Sequence, residues 1–160
     1  MPLPGGPQGT VTVDRPASWL TAVTVLQPYA SAILLPRGGK TVENRASNTA
    51  HRGPLVIHAG VRPHPAGASD MRVRRLRLQH PRLQHPPTGA LLGVVDLVDI
   101  DHCTGRCSVW AMRGGYFHWH LARPRPLKVP IPWRGQLGLW RLHDGRDDVA
   151  VLPLRQLLEN

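Results

Sequence analysis

The segment Gly38–Arg45 reads Gly-Gly-Lys-Thr-Val-Glu-Asn-Arg and constrains the fold more than any other stretch of the chain. Its glycines end the helix-compatible segment before them, and the residues from Lys40 onward are extended in type. Because residues two apart in a strand share a face, Thr41, Glu43 and Arg45 are predicted to point the same way, with successive Cα atoms about 6.5 Å apart. The segment is therefore predicted to be a polar strand that follows a turn.

Short strands dominate the pattern on both sides of this segment. Upstream, Thr21–Leu26 is rich in β-branched residues and Pro28–Leu35 has helix-compatible apolar spacing, so a strand is predicted to lead into a short helix. The further predicted strands are Leu55–Ala59, Ala90–Ile100 and three that are each bounded by Pro or Gly, namely Tyr116–Leu121, Leu127–Ile131 and Leu137–Leu142. About six strands with one early helix predict a mainly β (α+β) fold with short helices, built as a small closed β-barrel.

Three regions are predicted along the 160 residues. Residues 1–18 lack the periodicity needed to pack, so we expect a disordered N-terminal tail there. Residues 19–142 are predicted to form one domain, in which residues 61–89 are a basic, proline-rich surface excursion with a short helix around Asp70–Gln79. Residues 143–160 are predicted to be a C-terminal tail that can form a terminal helix.

The charge of the chain is strongly positive. Lys and Arg number 20 against 10 Asp and Glu, and the pI is near 11.3, a balance that favours polyanionic partners such as nucleic acid. Only Lys40 and Lys128 are lysines, and such an excess of Arg, with abundant Ala, Gly and Pro, is also typical of a GC-rich genome. The densest cluster is predicted to guide a phosphate backbone, or alternatively to be a solvated loop: Arg72, Arg74, Arg75, Arg77 and Arg82.

Cysteine content and hydropathy bear on location and metal binding. Two cysteines cannot form a disulfide framework, and no segment has the length of a membrane span or the layout of a signal peptide, so we predict a cytoplasmic monomer without membrane contact. Cys103 and Cys107, beside His102, have zinc-ligand spacing, but no second cysteine pair exists and His118 or His120 would have to fold back. Two reduced loop cysteines are preferred, and neither a metal nor a cofactor is predicted.

Several blocks resemble the activating signal cointegrator homology (ASCH) family when taken together. They are Gln27-Pro28-Tyr29-Ala30, Gly38–Arg45 with the pattern G-x-K-x-x-E-x-R, Arg52–Ala59 and Gly93–Leu97, followed by similar closing strands from His118 to Leu142. The resemblance spans residues 22–142 in order and departs at Leu26, where many relatives carry Arg. It implies a PUA-like barrel whose cleft, between the first helix and the barrel, binds RNA or single-stranded nucleic acid.

A polar cleft is thus predicted around the strand after the glycines. Arg45 is expected to hold Glu43 ionised, and Lys40 is placed at the mouth of the strand as a mobile cation for a phosphate or an oxyanion. Tyr29 is placed at the rim, and His58 is either a pocket residue or a hydrogen-bonded scaffold residue. The predicted ligand-binding residues are Gln27, Tyr29, Gly38, Gly39, Lys40, Glu43, Arg45 and His58, and the predicted nucleic-acid surface is Arg72, Arg74, Arg75 and Arg77.

Three functions are weighed for this cleft. The first is binding of RNA, single-stranded nucleic acid or a modified nucleotide. The second is hydrolysis of RNA or of an acylated nucleoside of the N4-acetylcytidine type, with Glu43 as general base and Lys40 as charge stabiliser. Relatives that deacetylate acetylcytidine carry Thr at the position of Glu43, and Glu43 and Arg45 can also be a structural ion pair. The third is a protein-interaction module with an acidic partner, so whether the chain is an enzyme is left open.

Overall fold

The computed structural model describes residues 20–37, 39–103, 107–142 and 149–160. The predictions for Gly38, for the tail at residues 1–18 and for residues 143–148 lie outside the described residues. The elements, in chain order, are β1 (Leu20–Val25), α1 (Tyr29–Ile33), β2 (Val42–Arg45), β3 (Gly53–Ala59), α2 (Met71–Gln79), a 3-10 helix (Pro81–Leu83), β4 (Ala90–Asp101), β5 (Phe117–Pro132), β6 (Leu139–Leu142) and α3 (Leu152–Leu158). None of the helices in these ranges is long and apolar enough to cross a membrane.

The six strands form one sheet in the order β2-β5-β4-β3-β1-β6. β1 and β3 run parallel, and the other neighbouring pairs are antiparallel. This confirms the mainly β fold with short helices and a helix directly after the first strand. The sheet is open, however, because its four-residue edge strands β2 and β6 each pair with one neighbour and not with each other. The predicted closure into a barrel is corrected accordingly.

The two strands predicted at Tyr116–Leu121 and Leu127–Ile131 are a single strand, β5, of 16 residues. β2 borders only its first four residues, Phe117–His120, so the rest of β5 is a sheet edge, where prolines do not interrupt a ladder. Its pairing with β4 also jumps from Leu91↔Ile131 to Gly93↔Pro126, which leaves residues 127–130 bulged out of the ladder. The prolines that suggested an interruption are therefore accommodated at an edge and a bulge.

Apolar side chains pack on both faces of the sheet. Val23, Ile57 and Val95 belong to the core beneath α1, whereas their chain neighbours Ala22, Val56 and Val94 belong to the core beneath α3. This alternation follows from the two-residue period of a strand. Each large side chain that is fully buried in this way contributes about 1.5–3 kcal/mol. Burial on the first face holds α1 in place and thereby positions the residues at its start.

The cysteines differ from the sequence-based prediction. Cys103 and Cys107 form a disulfide rather than two reduced thiols, with a Cα–Cα distance of 6.1 Å that is within the usual range for such bonds. The pairing of Asp101 with His118 closes the base of the connection between β4 and β5, and the backbone N–H of Cys103 donates to Asp101 Oδ1 at 3.1 Å. These contacts turn the chain back on itself within the reach of a disulfide.

Gly93 is the position in β4 at which a side chain is least compatible with the sheet. A Cβ there would collide with the carbonyl oxygen of Arg125 and lie 2.8 Å from the Cα of Pro126. We expect Gly93→Ala to lower the free energy of unfolding by about 2 kcal/mol, because β4 and β5 would have to separate at the bulge. Urea unfolding followed by tryptophan fluorescence measures the change. Val98→Ala, on the exposed side of the same strand, is the control, and equal stability of the two variants would contradict the close approach.

Candidate functional site

An open cavity of about 540 Å³ lies where β2, α1 and the start of α2 meet the connection between β4 and β5. Its lining includes Tyr29, Lys40, Glu43, Asn44, Arg45, His64, Asp70, Arg72, Trp110, Met112 and Tyr116. Four of the predicted ligand-binding residues are thereby brought together. Cavities of about 550 and 750 Å³ contain none of the predicted ligand-binding residues, one of about 200 Å³ contains Gly39 and Lys40, and one of about 410 Å³ contains Gln27. The polar cavity beside β2 is therefore the candidate site.

Glu43 lies between two cations in this cavity. Its Oε2 accepts a hydrogen bond from Lys40 Nζ at 2.7 Å, and its Oε1 lies 3.5 Å from Nη1 of Arg45. Glu43 and Arg45 share a face, as their two-residue spacing in β2 predicts. Both carboxylate oxygens of Glu43 are thus engaged, and this arrangement holds the side chain as an oriented anion.

Lys40 is a buried cation whose position is fixed, not a mobile one at the mouth of the cleft. Only 5% of the residue is exposed, and its Nζ donates to the carbonyl of Val42 as well as to Glu43. The ammonium group also lies 5.8 Å from the centroid of the Tyr29 ring. The reason for the difference is that the backbone N–H of Lys40 donates to the carbonyl of Ala32 in α1 at 2.9 Å, which draws this residue beneath the helix.

Arg45 is the β2 cation that can still reach a ligand. Its Nη1 contacts both Glu43 and the carbonyl of Thr24, the latter at 3.3 Å, and the guanidinium lies 5.8 Å from the centroid of the Trp119 ring. Its Nε and Nη2 have no hydrogen-bond partner among the described residues. Since 23% of the side chain is exposed, these donors can bind an anion that enters the cavity.

A second polar network connects α1 to α2. Tyr29 donates its hydroxyl to Asp70 Oδ2 at 2.7 Å, and Arg72 binds the same carboxylate with Nε and Nη2 at 2.9 and 2.6 Å. The hydrogen bonds from Arg72 hold the pKa of Asp70 well below its usual range. Burial, together with the hydrogen bond to Asp70, raises the pKa of Tyr29 to about 12, so its hydroxyl stays protonated at neutral pH. The network fixes Tyr29 in the cavity wall.

Arg72 belongs to this wall, while 40% of its side chain is exposed. Its Nη1 donates to the carbonyl of Val109 at 2.6 Å, and its guanidinium lies 4.5 Å from the centroid of the Trp110 ring. The rest of the predicted nucleic-acid surface is divided. Arg74 and Arg75 are exposed on α2, whereas Arg77 is half-buried and donates from Nε to the carbonyl of Leu83.

Sequence reasoning missed two residues that build the cavity. In the sequence, Asp70 marks only the start of a helix. Its spacing of two residues from Arg72 is nevertheless compatible with a bidentate ion pair between the two side chains. Asn44 donates from Nδ2 to the carbonyl of Trp110 at 2.9 Å and accepts from the N–H of Met112 at 2.8 Å. Its partners are 66 and 68 residues away along the chain, so no local signal pointed to them.

Gln27 and Gly39 lie close to the site but support it from behind. Gln27 is buried, and its Nε2 donates to Ser31 Oγ and to the carbonyl of Pro87, each at 2.7 Å, so it braces the start of α1. Gly39 packs against the helix, where a Cβ would collide with the carbonyl of Ala32. Because Gly39 has no side chain, its backbone can approach α1 closely.

His58 lies away from the cavity. It is buried, and its ring bridges Thr24 Oγ1 at 3.1 Å and the carbonyl of Trp133 at 2.7 Å, with the Trp140 ring centroid 5.7 Å away. These contacts match the scaffold alternative of the sequence analysis. Burial lowers the pKa of His58, and the hydrogen bond with Trp133 opposes that shift.

Together these features describe a small mainly β domain with a polar, aromatic-lined cavity between its first helix and its sheet. The family model described as the ASCH domain matches residues 23–131, which is more than half of the chain. The chain belongs to the ASCH domain family, and the resemblance in its motifs is confirmed.

Two relatives support this assignment. The chain is 34% identical over 127 residues to activating signal cointegrator 1 of Mus musculus and 32% identical over 131 residues to activating signal cointegrator 1 of Homo sapiens. The matches cover 72% and 75% of this chain but 21% and 22% of the relatives. The chain thus spans about a fifth of the length of the curated relatives it matches.

Lys40 is expected to be needed for stability. In Lys40→Met the carboxylate of Glu43 would lose its nearest cation in a buried setting, and we expect the free energy of unfolding to fall by about 3 kcal/mol. Urea unfolding measures this change, and adding Glu43→Gln to the same chain should restore part of the stability. Lys128→Met, at the exposed second lysine, is the matched control. An equally small effect in both single variants would contradict a structural role for the ion pair.

The lowered pKa of His58 predicts a pH dependence of stability. The unfolded chain protonates this imidazole near its ordinary pKa of about 6.5, whereas the folded chain resists protonation, so acidification from pH 7 to pH 5 favours unfolding. We expect the stability advantage of the wild type over His58→Gln to shrink across this interval. Thermal unfolding at several pH values measures it, with His85→Gln as a control for the removal of an exposed imidazole. An advantage that stays constant with pH would count against this role of His58.

Proposed function

We propose that the cavity binds one unit of RNA, of single-stranded nucleic acid or of a modified nucleotide, and that α2 contacts the neighbouring phosphates. The observation that carries this proposal is the position of Arg45, which lines an open cavity with aromatic walls and keeps Nε and Nη2 without a hydrogen-bond partner among the described residues. A volume of about 540 Å³ is within the range of sites for small ligands. A phosphate or a base carbonyl is a suitable acceptor for these remaining donors of the guanidinium.

Aromatic and apolar groups in the cavity are suited to a nucleobase. Tyr116 is half-buried and lines the cavity together with Met112, and Tyr29 presents its ring between Lys40 and His64, with the His64 ring centroid 5.2 Å away. Stacking of one base on an aromatic side chain contributes about 1–3 kcal/mol and depends little on sequence. Because a base held in this way must be unstacked and unpaired, the proposal predicts a preference for single-stranded nucleic acid.

The charge distribution separates recognition inside the cavity from attraction outside it. Within the wall, the three cations Lys40, Arg45 and Arg72 oppose the two carboxylates of Glu43 and Asp70, so the cavity is only weakly positive. Long-range attraction of a phosphate backbone must then come mainly from exposed groups. Exposed arginines lie close in sequence to this wall on α2, at Arg74 and Arg75, and beside Met112, at Arg113.

Binding is favoured over hydrolysis because Glu43 is already engaged. A general base needs a lone pair directed at a reacting water, and the two oxygens of this carboxylate instead face Lys40 Nζ at 2.7 Å and Arg45 Nη1 at 3.5 Å. The contacts of Glu43 with Lys40 and Arg45 instead hold these two cations in fixed positions, which suits them to binding a ligand. Hydrolysis of RNA or of an acylated nucleoside is therefore our second proposal, and a protein partner is the third.

The test is fluorescence anisotropy of a labelled short single-stranded RNA at two salt concentrations. We expect Arg45→Ala to weaken binding about tenfold at both concentrations, because it removes hydrogen bonds from a charged donor. Arg74→Ala and Arg75→Ala should instead reduce the slope of log affinity against log salt concentration, by about 0.7 for each phosphate that the variant no longer neutralises. Arg52→Ala is the matched control, because Arg52 is exposed and its Nη1 binds the carbonyls of Thr49 and His51 in its own loop.

The outcomes distinguish the proposals. If Arg45→Ala binds as tightly as the wild type while the α2 variants are weakened, the RNA lies on the helix and not in the cavity. If the wild type does not bind RNA at low salt, the nucleic-acid proposal fails and an acidic protein partner is favoured. Release of a labelled product by the wild type but not by Glu43→Gln would support the hydrolase instead.

A further inference from the structure

Four side chains with metal-binding atoms converge at the end of the β4–β5 pair, outside the cavity. Asp101 ends β4, His118 lies near the start of β5, and Cys103 and Cys107 are in the connection between them. One oxygen, one nitrogen and two sulfur atoms from this set all lie within 4.8 Å of one another. The antiparallel pairing of Asp101 with His118 brings the set together. It places His118, which is distant from the cysteines in the sequence, next to them in the fold.

The separations from His118 Nδ1 match the edges of a zinc tetrahedron, whereas the two sulfur atoms, bonded to each other in the disulfide, have to move apart on reduction. Nδ1 of His118 lies 3.3 Å from Cys103 Sγ, 3.8 Å from Cys107 Sγ and 3.4 Å from Asp101 Oδ1. A tetrahedral Zn²⁺ with bonds of about 2.0–2.3 Å has ligand–ligand edges of roughly 3.3–3.8 Å. A metal ion placed among these atoms would therefore require little movement of the imidazole or of the carboxylate.

The orientation of His118 suits metal binding. Its Nε2 donates to the carbonyl oxygen of Met112 at 2.6 Å, which directs Nδ1 at the cluster. The imidazole is buried, with 1% exposed, and cannot turn towards water. A histidine ligand whose other ring nitrogen donates to a backbone carbonyl is the usual arrangement around protein-bound metals.

The remaining ligands are also supported by neighbouring groups. His120 Nε2 contacts Asp101 Oδ2 at 2.8 Å, which leaves the Oδ1 atom directed at His118. The backbone N–H of Cys107 lies 3.3 Å from Cys103 Sγ and is oriented to donate to a thiolate at that position. Cys107 is exposed, so an ion has a route to the cluster from solvent.

We propose that Asp101, Cys103, Cys107 and His118 bind one Zn²⁺ when the Cys103–Cys107 disulfide is reduced. A dithiol reductant supplies two electrons and two protons to the disulfide and is itself oxidised to a disulfide, which leaves two thiols. Zinc binding then displaces the two thiol protons to solvent and forms a site of two thiolates, one imidazole and one carboxylate. The oxidised and the zinc-bound chain are two alternative ways to close the same loop.

The site is adjacent to the wall of the cavity. The carbonyl that orients His118 belongs to Met112, whose N–H binds Asn44 of β2, and the neighbouring carbonyl of Trp110 accepts from the same amide. Met112 thus links the proposed metal site to β2 through one hydrogen bond on each side. The proposal does not depend on which ligand the cavity binds, because its test reads metal binding directly.

The test uses the full chain, reduced with a phosphine and freed of metal. It is titrated with Zn²⁺ in competition with a chromophoric chelator and, separately, with Co²⁺ as a spectroscopic probe. We expect one equivalent of zinc, a thiolate-to-cobalt charge-transfer absorption together with the intense d–d bands typical of tetrahedral sites, and a rise in melting temperature with added zinc. Cys107→Ser, at an exposed position, should weaken zinc binding at least about tenfold and abolish the melting shift.

His102→Ala is the matched control. His102 is exposed beside the cluster, but its Nδ1 contacts the carbonyl of Tyr116, so zinc binding should be unchanged in this variant. The proposal is overturned if the reduced wild type binds zinc no more tightly than Cys107→Ser. It is also overturned if His102→Ala weakens binding as much as Cys107→Ser does, because the histidine ligand would then be a different one. Zinc binding without RNA binding would leave the metal site standing and count only against the proposed ligand of the cavity.

Discussion

The backbone N–H of Lys40 donates to the carbonyl of Ala32, and the placement of β2 against α1 depends on this bond. It can form only because Gly39 has no side chain to strike the same carbonyl. Once Lys40 is drawn beneath the helix, its ammonium must be neutralised in a setting of low exposure, and Glu43 does so. The position of Glu43 then directs Arg45, so the polar floor of the cavity follows from one backbone contact.

The walls of the cavity are held by pairs that join distant parts of the chain. Asp70 links Tyr29 to Arg72, and the Asn44 amide joins β2 to the connection before β5. Each pair satisfies polar groups that would be costly to leave unpaired where water is limited. Among the described residues, the result is a cavity with few unpaired donors apart from those of Arg45. This distribution favours recognition of a ligand by a small number of directed contacts.

The sequence-based predictions succeeded where the physical cause is local. The two-residue period of a strand was enough to place Glu43 and Arg45 on one face, and proline and glycine marked the ends of α1. Predictions failed where the cause is the register between strands. The prolines of β5 suggested an interruption, but the jump in its pairing with β4 accommodates them, and closure into a barrel would have required β2 and β6 to meet.

The sequence was sufficient to indicate the family, from several blocks in order along the chain, and the mainly β class, the helix after the first strand and a polar strand with Glu43 and Arg45 on one face. Other features were settled only by the folded chain: Lys40 is buried, His58 lies away from the cavity, and Asp101 and His118 meet two cysteines. The division of the arginines of α2, with Arg72 in a wall and Arg74 exposed, is a further example. Each of these features depends on long-range hydrogen bonds and strand register, because these bring together residues that the local pattern cannot connect.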